Sequence, residues 1–239
     1  MELTEYLATK ALDLAEIIGK RLVAAWGTSC AAAHKNVRHL RSTQEEADTN
    51  ILLHAVDAAA HGVTEINIHS PVTDVFILAL RRYPQLFHDT NFIIGTGQRH
   101  RVIKLQPIVH SLGTQKIAAL PALHALSGAD NTGSFAGKGK ATWWKGFQEA
   151  SQDIITALGN HGAREPPSAE TMAAIEKLIC NLYVPKTTIT TVKDLRWWLF
   201  KKKQAQSEKL ARTKAALDQT VMRANYQAMV WNNDIVPLP

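Results

Sequence analysis

Residues 127–140, SGADNTGSFAGKGK, combine an acid with residues suited to binding an anion. Asp130 follows three small residues, and a run of alternating glycine and lysine comes shortly after it. That run consists of Gly137, Lys138, Gly139 and Lys140. Glycine lets backbone N–H groups approach an anion closely, and lysines and a helix N-terminus add positive charge. The run could therefore hold a phosphate group, and the alternative is a glycine-rich loop that joins two helices.

Two helices are predicted to position this stretch. Residues 117–126 are rich in Ala and Leu, which is typical of a buried helix. Trp143, Trp144 and Phe147 have the spacing of the apolar face of a second helix, which would begin at the Gly-Lys-Gly-Lys run.

Further acids stand earlier in the chain. Ser42 and Glu45 have the spacing of a capping box, so a helix is predicted to begin there, with Glu46 and Asp48 in its first turn. Acids at this position also complement the helix macrodipole and then need no other role.

A second residue that could take part in chemistry follows a short apolar strand at residues 65–69. Asp74 comes in the turn after this strand, and Val72 stands two residues before it. In parallel α/β sheets the chemistry lies at the carboxyl edge of the strands. The alternative is that Asp74 caps the helix that follows.

Other strands are predicted at residues 21–26, as a buried strand, and at residues 91–94 and 101–105, as a hairpin or two sheet strands around a Gly95-x-Gly97 turn. Residues 28–43 are predicted to form a loop with a short helix. Residues 159–168, GNHGAREPPS, have the composition of a linker.

The C-terminal part is predicted to be helical and is rich in basic residues. Trp197, Trp198 and Phe200 interrupt the basic run that ends in Lys201, Lys202 and Lys203. Such a pattern could follow a phosphate backbone and stack bases. In the alternative, the tryptophans pack inward and the lysines face water. For the tryptophans we expect this second arrangement, and for the lysines both stay open.

The composition of the chain limits the classes of protein to which it could belong. The chain has 239 residues and a formal net charge of +6, which is compatible with a polyanionic partner. No apolar run approaches the ~20 residues that span a membrane, and residues 1–20 lack the apolar core of a signal peptide. The two cysteines, Cys30 and Cys180, have no metal-binding spacing. These features predict an intracellular protein, for which the nucleus is a compatible compartment.

The order of these features resembles the flap endonuclease and XPG-type nucleases, which have the PIN-like fold. In that family a glutamate pair at a helix start precedes a strand that ends in Asp-x-Asp, and Gly-x-Asp and a phosphate-gripping Gly-x-Gly follow. The matching pieces here are Glu46-x-Asp48, Val72-x-Asp74, Ala129-Asp130 and Gly137-x-Gly139. The chain also resembles uncharacterised animal proteins with the motifs EEADT, SPDTDV and SGADNTGSF.

This resemblance implies a carboxylate site for Mg²⁺ or Mn²⁺, the hard cations that prefer oxygen ligands. Two such ions can activate a water molecule and stabilise the leaving oxygen of a phosphodiester. The implied catalytic residues and metal ligands are Glu46, Asp48, Asp74 and Asp130, with Glu45 as a further ligand. The implied nucleic-acid-binding residues are Gly137, Lys138, Gly139, Lys140, Lys201, Lys202 and Lys203.

Two departures from the family pattern predict an incomplete site. Val72 stands where the family has an acid, and it cannot ligate a metal. The opening strand of the family, with its aspartate, has no counterpart before Glu46, so the chain is interpreted as a fragment of a longer product or a shortened descendant.

The expected fold is therefore α/β, with a partial PIN-like parallel sheet flanked by helices over residues 1–158 and a helical basic region over residues 159–239. The expected function is that of a nuclease-like domain with impaired phosphodiester hydrolysis. The alternatives are a non-catalytic nucleic-acid-binding module and a protein-interaction module derived from a nuclease.

Overall fold

The computed structural model describes residues 2–33, 36–41, 47–87, 89–129, 132–202 and 210–233, with Arg38 described in its backbone only. The chain is α/β, with small mixed sheets and many helices. It divides into two compact units, one formed by residues 1–105 and 233–239 and the other by residues 106–232. This division lies well before the boundary expected after residue 158, because helices on both sides of that boundary pack together in the second unit.

The first unit contains a three-stranded sheet that places the acids of interest. Its strands are β3 (Ile66–His69), β4 (Thr90–Ile94) and β5 (Arg101–Lys104), in the order β3-β4-β5. β3 is parallel to β4, and β5 is antiparallel to β4. Gly95 begins the turn between β4 and β5 with φ +75°, and a Cβ there would lie 2.3 Å from the Arg99 carbonyl oxygen. The two predicted strands and their turn are thus confirmed.

Two helices pack on each other beside this sheet. They are α2 (Ala47–Ala60) and α3 (Thr73–Arg82). A short connection joins α2 to β3, and another joins β3 to α3. Since α2 contacts both β3 and α3, this connectivity directs the N-terminal ends of both helices toward the end of the unit at which β3 finishes.

The N-terminal segment forms a separate hairpin. Helix α1 (Leu3–Ile17) precedes β1 (Val23–Trp26), which pairs antiparallel with β2 (Ser29–Ala32). The prediction of a buried strand at residues 21–26 was wrong in its burial, because the two-stranded hairpin leaves alternate residues of β1 exposed. The predicted loop at residues 28–43 was wrong in part, since β2 lies within it. The short helix predicted there is present as a 3-10 turn, Arg38–Leu40.

The second unit is helical. Its helices are α4 (Leu105–Gly128), α5 (Lys140–Gln148), α6 (Gln152–Gly159), α7 (Ala169–Tyr183), α8 (Val192–Lys201) and α9 (Lys214–Asn232). Gly113, with φ +74° and ψ 163°, interrupts α4 and marks a kink between two helical segments. The stretch predicted as a buried helix lies after this kink, and its Ala and Leu side chains are buried as expected, except for the exposed Ala118.

The segment predicted as a linker is instead anchored to the helical unit at several of its residues, although residues 163–166 are exposed. His161 and Gly162, between α6 and α7, are both buried. The Gly162 N–H donates to Asn225 Oδ1 of α9 at 2.8 Å, and Asn225 Nδ2 donates to the Arg164 carbonyl at 2.9 Å. Composition alone favoured a linker because glycine and proline are also common in tightly packed connections.

Candidate functional site

The connection between α4 and α5 is held in place by contacts of its own side chains. Thr132 Oγ1 accepts from the Ala129 N–H at 2.8 Å and donates to the Ala125 carbonyl near the end of α4. Gly128 has φ +103°, and a Cβ there would lie 3.1 Å from the Ser134 Cβ. Glycine is therefore required both by the backbone conformation and by the close approach of Ser134.

Arg212, which precedes α9, fastens the same connection from outside. Its Nη2 donates to the Ser134 carbonyl at 2.8 Å, and its Nη1 donates to Thr220 Oγ1. The guanidinium carbon lies 4.8 Å from the centroid of the Phe135 ring. Phe135 is buried and meets Trp143 of α5 edge-on at 5.4 Å. Sequence reasoning missed Arg212, because nothing local links it to a motif 78 residues earlier.

Replacing Arg212 tests whether its contacts hold the connection between α4 and α5 in place. Arg212→Ala is expected to lower the free energy of unfolding by about 2 kcal/mol, because two hydrogen bonds and a cation–π contact are lost together. Urea unfolding followed by circular dichroism measures the change. Arg223→Ala removes an exposed arginine from α9 and is the matched control, with an expected change near zero. Equal effects of the two substitutions would show that Arg212 does not hold the connection.

The two lysines of the Gly-Lys-Gly-Lys run have different environments. Lys138 Nζ donates to the Leu182 carbonyl at 2.9 Å and lies 4.5 Å from the centroid of the Tyr183 ring, both at the end of α7. Burial lowers the pKa of the Lys138 ammonium below its usual value. Lys140 is exposed at the start of α5, and its Nζ lies 3.5 Å from His124 Nδ1. Lys140 is thus the more accessible cation of the two, whereas Lys138 fastens the connection to α7.

The glycines of this run leave its backbone accessible. Gly137 has φ +68°, and Gly139 is the N-cap residue of α5. A Cβ at either position would meet no atom within 4 Å. The prediction that this run opens a helix is confirmed, and the prediction that it binds a phosphate stays a prediction.

The acids at the sheet lie in the first turns of two helices. Asp48 is in the first turn of α2 and Asp74 is in the first turn of α3, and both are half-buried. From the connectivity of α2, β3 and α3, we infer that both acids lie toward the end of β3. In these positions they complement the macrodipoles of their helices, whatever further role they have.

Val72 occupies the turn between β3 and α3. It is the half-buried N-cap residue of α3, and its N–H donates to Ser70 Oγ at 3.1 Å. Its side chain supplies no oxygen to a metal ion or to the helix N-terminus. The sequence-based expectation that residue 72 lies at the end of a strand was wrong in detail, because β3 ends at His69 and Val72 lies in the turn that follows.

The remaining candidates lie outside the described residues. They are Glu45, Glu46 and Asp130 among the implied metal ligands and Lys203 among the implied nucleic-acid contacts. Across the part of the chain that the structure does describe, no three His, Cys, Asp or Glu side chains form a group that could hold a metal ion. The implied carboxylate set thus stays a prediction.

The aromatic and basic residues of α8 divide between its two sides. Val192, Leu195 and Leu199 are buried, whereas Trp197 and Phe200 are 59% and 62% exposed. The expectation that the tryptophans pack inward is wrong for Trp197. The spacing of the three buried aliphatic residues could have shown this, because together they already account for the inward face of α8. Lys201 and Lys202 are exposed at the end of the same helix.

No helix among the described residues has the length and apolar character needed to cross a membrane. Comparisons with protein-family models, with curated proteins and with solved structures gave no match. The resemblance to XPG-type nucleases therefore stays a prediction that depends on the residues of this chain.

Proposed function

We propose that this chain is a nuclease-like, nucleic-acid-binding domain of PIN-like descent. Its site for Mg²⁺ or Mn²⁺ is incomplete, so it hydrolyses phosphodiesters weakly or not at all. The observation that carries the proposal is Val72, which lies in the turn between β3 and α3, two residues before Asp74. An acid there would add a carboxylate where the first turns of α2 and α3 already supply Asp48 and Asp74.

The residues present fit a divalent cation only in part. Asp48 and Asp74 are half-buried carboxylates, and carboxylate oxygens are the ligands that Mg²⁺ prefers. Val72 supplies none, and the described sheet has no strand on the free side of β3 that would add one. Bound Mg²⁺ or Mn²⁺ would supply charge stabilisation for an attacking or leaving oxygen.

A separate set of observations supports the binding of nucleic acid. The Gly137–Gly139 turn is open, α5 begins directly after it, and Lys140 is exposed there. Backbone N–H groups at such a helix start attract phosphate oxygens. A non-catalytic binding module is therefore the second candidate function, and it needs none of the carboxylates.

The test is to restore the missing acid. Val72→Asp is expected to tighten Mg²⁺ or Mn²⁺ binding by on the order of tenfold in calorimetry, because one more carboxylate faces the ion. The unmodified chain is expected to cleave labelled single-stranded and duplex DNA and RNA weakly or undetectably, since a lost electrostatic contact of this kind costs ~10²–10³ in rate.

Val63→Asp is the matched control. Val63 is partly exposed in the turn before β3, at the opposite end of that strand. The substitution therefore adds the same charge away from the proposed site. Equal metal affinity in Val72→Asp and the unmodified chain would show that residue 72 does not face a cation. Strong cleavage by the unmodified chain that EDTA removes and Asp74→Ala abolishes would show that the site is complete.

A further inference from the structure

The outward side of α8 carries aromatic and basic residues at helical spacing. Lys193, Trp197, Phe200 and Lys201 are all exposed and share one side of the helix, opposite Val192, Leu195 and Leu199. This group of four residues is called the Trp197 face below. Two adjacent exposed aromatic rings form a contiguous apolar patch, and such patches mark binding sites more often than single exposed rings do.

The two rings of the Trp197 face are arranged in parallel. Their centroids are 6.0 Å apart and their planes differ by 18°. Lys201 Nζ lies 5.0 Å from the centroid of the Trp197 ring. An exposed pair of parallel rings offers a flat surface to another aromatic ring, and the flexible stem of Lys201 allows its ammonium group to leave the indole.

The charges around these rings favour an anionic partner. Asp194 is the sole acid in α8, and it accepts from Thr191 Oγ1 at 2.8 Å within the cap of its own helix. Arg196 donates to the Ala211 carbonyl. Lys193, Lys201 and Lys202 remain exposed. An open groove of about 480 Å³ adjoins the rings, lined by Lys193, Asp194, Arg196, Trp197, Phe200 and Leu210.

We propose that the Trp197 face binds single-stranded nucleic acid, with bases stacked on Trp197 and Phe200 and phosphates contacting Lys193 and Lys201. Aromatic platforms beside basic residues bind single strands with little sequence preference, because every base has a π-face. In a duplex the bases are already stacked on one another, so the rings would gain little from it. This inference rests on the proposed function, since it specifies the nucleic acid that the domain holds.

The experiment measures fluorescence anisotropy of a labelled dT20 strand and of a labelled 20-base-pair duplex. We expect tighter binding of dT20, and Trp197→Ala should weaken it by about tenfold, within the usual range for one stacked base. Trp197→Phe keeps an aromatic face and should stay within about threefold of the unmodified chain. It should also lose most of the tryptophan quenching that dT20 causes. Tyr226→Ala removes a similarly exposed ring from α9 and should change nothing.

Lys140→Glu separates this inference from the proposed function. If Lys140→Glu weakens binding of either probe while Trp197→Ala with Phe200→Ala leaves dT20 binding unchanged, the Trp197 face is not the binding site and the proposed function stands. If neither probe binds the unmodified chain, both proposals fail. Loss of self-association in Trp197→Ala by sedimentation velocity, without an effect on dT20, would assign the face to a second copy and overturn the inference.

Discussion

Gly162→Ala is expected to lower the free energy of unfolding of the helical unit by about 2–5 kcal/mol, the sum of backbone strain and overpacking. Gly162 has φ +83°, a conformation that L-residues with a side chain rarely adopt. A Cβ at this position would lie 2.6 Å from the Ala228 carbonyl carbon and 2.7 Å from the Met229 nitrogen. Both atoms belong to the backbone of α9, so relief requires movement of the helix itself. The Gly162 hydrogen bond to Asn225 would be disturbed as well.

Gly137→Ala is the matched control for this substitution. Gly137 also has a positive φ, +68°, but a Cβ there would meet no atom within 4 Å. Gly137→Ala is therefore expected to lower the free energy of unfolding by the backbone strain alone, about 1–2 kcal/mol. Urea unfolding of both variants provides the comparison, and equal losses would show that residues 160–164 do not pack on α9.

His161 is expected to make the helical unit lose stability in mild acid. The side chain is 2% exposed, and burial lowers its pKa from 6.5 to about 4, an effect that the nearby Val221 backbone partly offsets. Between pH 6.5 and 4 the unfolded chain therefore takes up a proton that the folded chain does not. The contribution of neutral His161 to the free energy of unfolding is fully present above pH 6.5. Below that pH the free energy of unfolding falls by about 1.4 kcal/mol per pH unit, to a total loss of about 3 kcal/mol.

Unfolding in urea at a series of pH values between 4 and 7.5 measures this dependence. His161→Gln cannot take up a proton, so its stability should fall less steeply over this interval than that of the unmodified chain. His110→Gln replaces an exposed histidine of α4 and should keep the original slope. The same slope in all three proteins would mean that His161 is accessible to protons in the folded state.

Sequence patterns predicted the elements whose local signals agree with their surroundings. The strand before Asp74, the pair of strands around Gly95 and the apolar helix before Gly128 all appear where they were expected. In each case apolar spacing, turn residues and burial point to the same structure. The first turn that holds Asp48 followed from the same signals, whereas Asp74, expected in the turn after the strand, lies in the first turn of α3.

The errors occurred where distant residues decide the environment. The strand ending at Trp26 is a short apolar run that pairs only within a hairpin, so its burial could not be read from its composition. The segment around Gly162 is packed because Asn225 of α9 reaches it from 61–63 residues away. Trp197 was expected inside because tryptophan is apolar, but aliphatic residues had already filled that side of α8.

The contacts around Phe135 affect how common ancestry could be recognised among relatives of this chain. Gly128, Thr132, Phe135 and Arg212 are each explained by packing or hydrogen bonding within the helical unit. Selection for stability alone would retain them, whether or not a relative cleaves nucleic acid. A relative that keeps the glycines and Phe135 but replaces Asp130 should therefore still fold. The SGADNTGSF motif would then mark common ancestry, and residue 130 within it would carry separate information about chemistry.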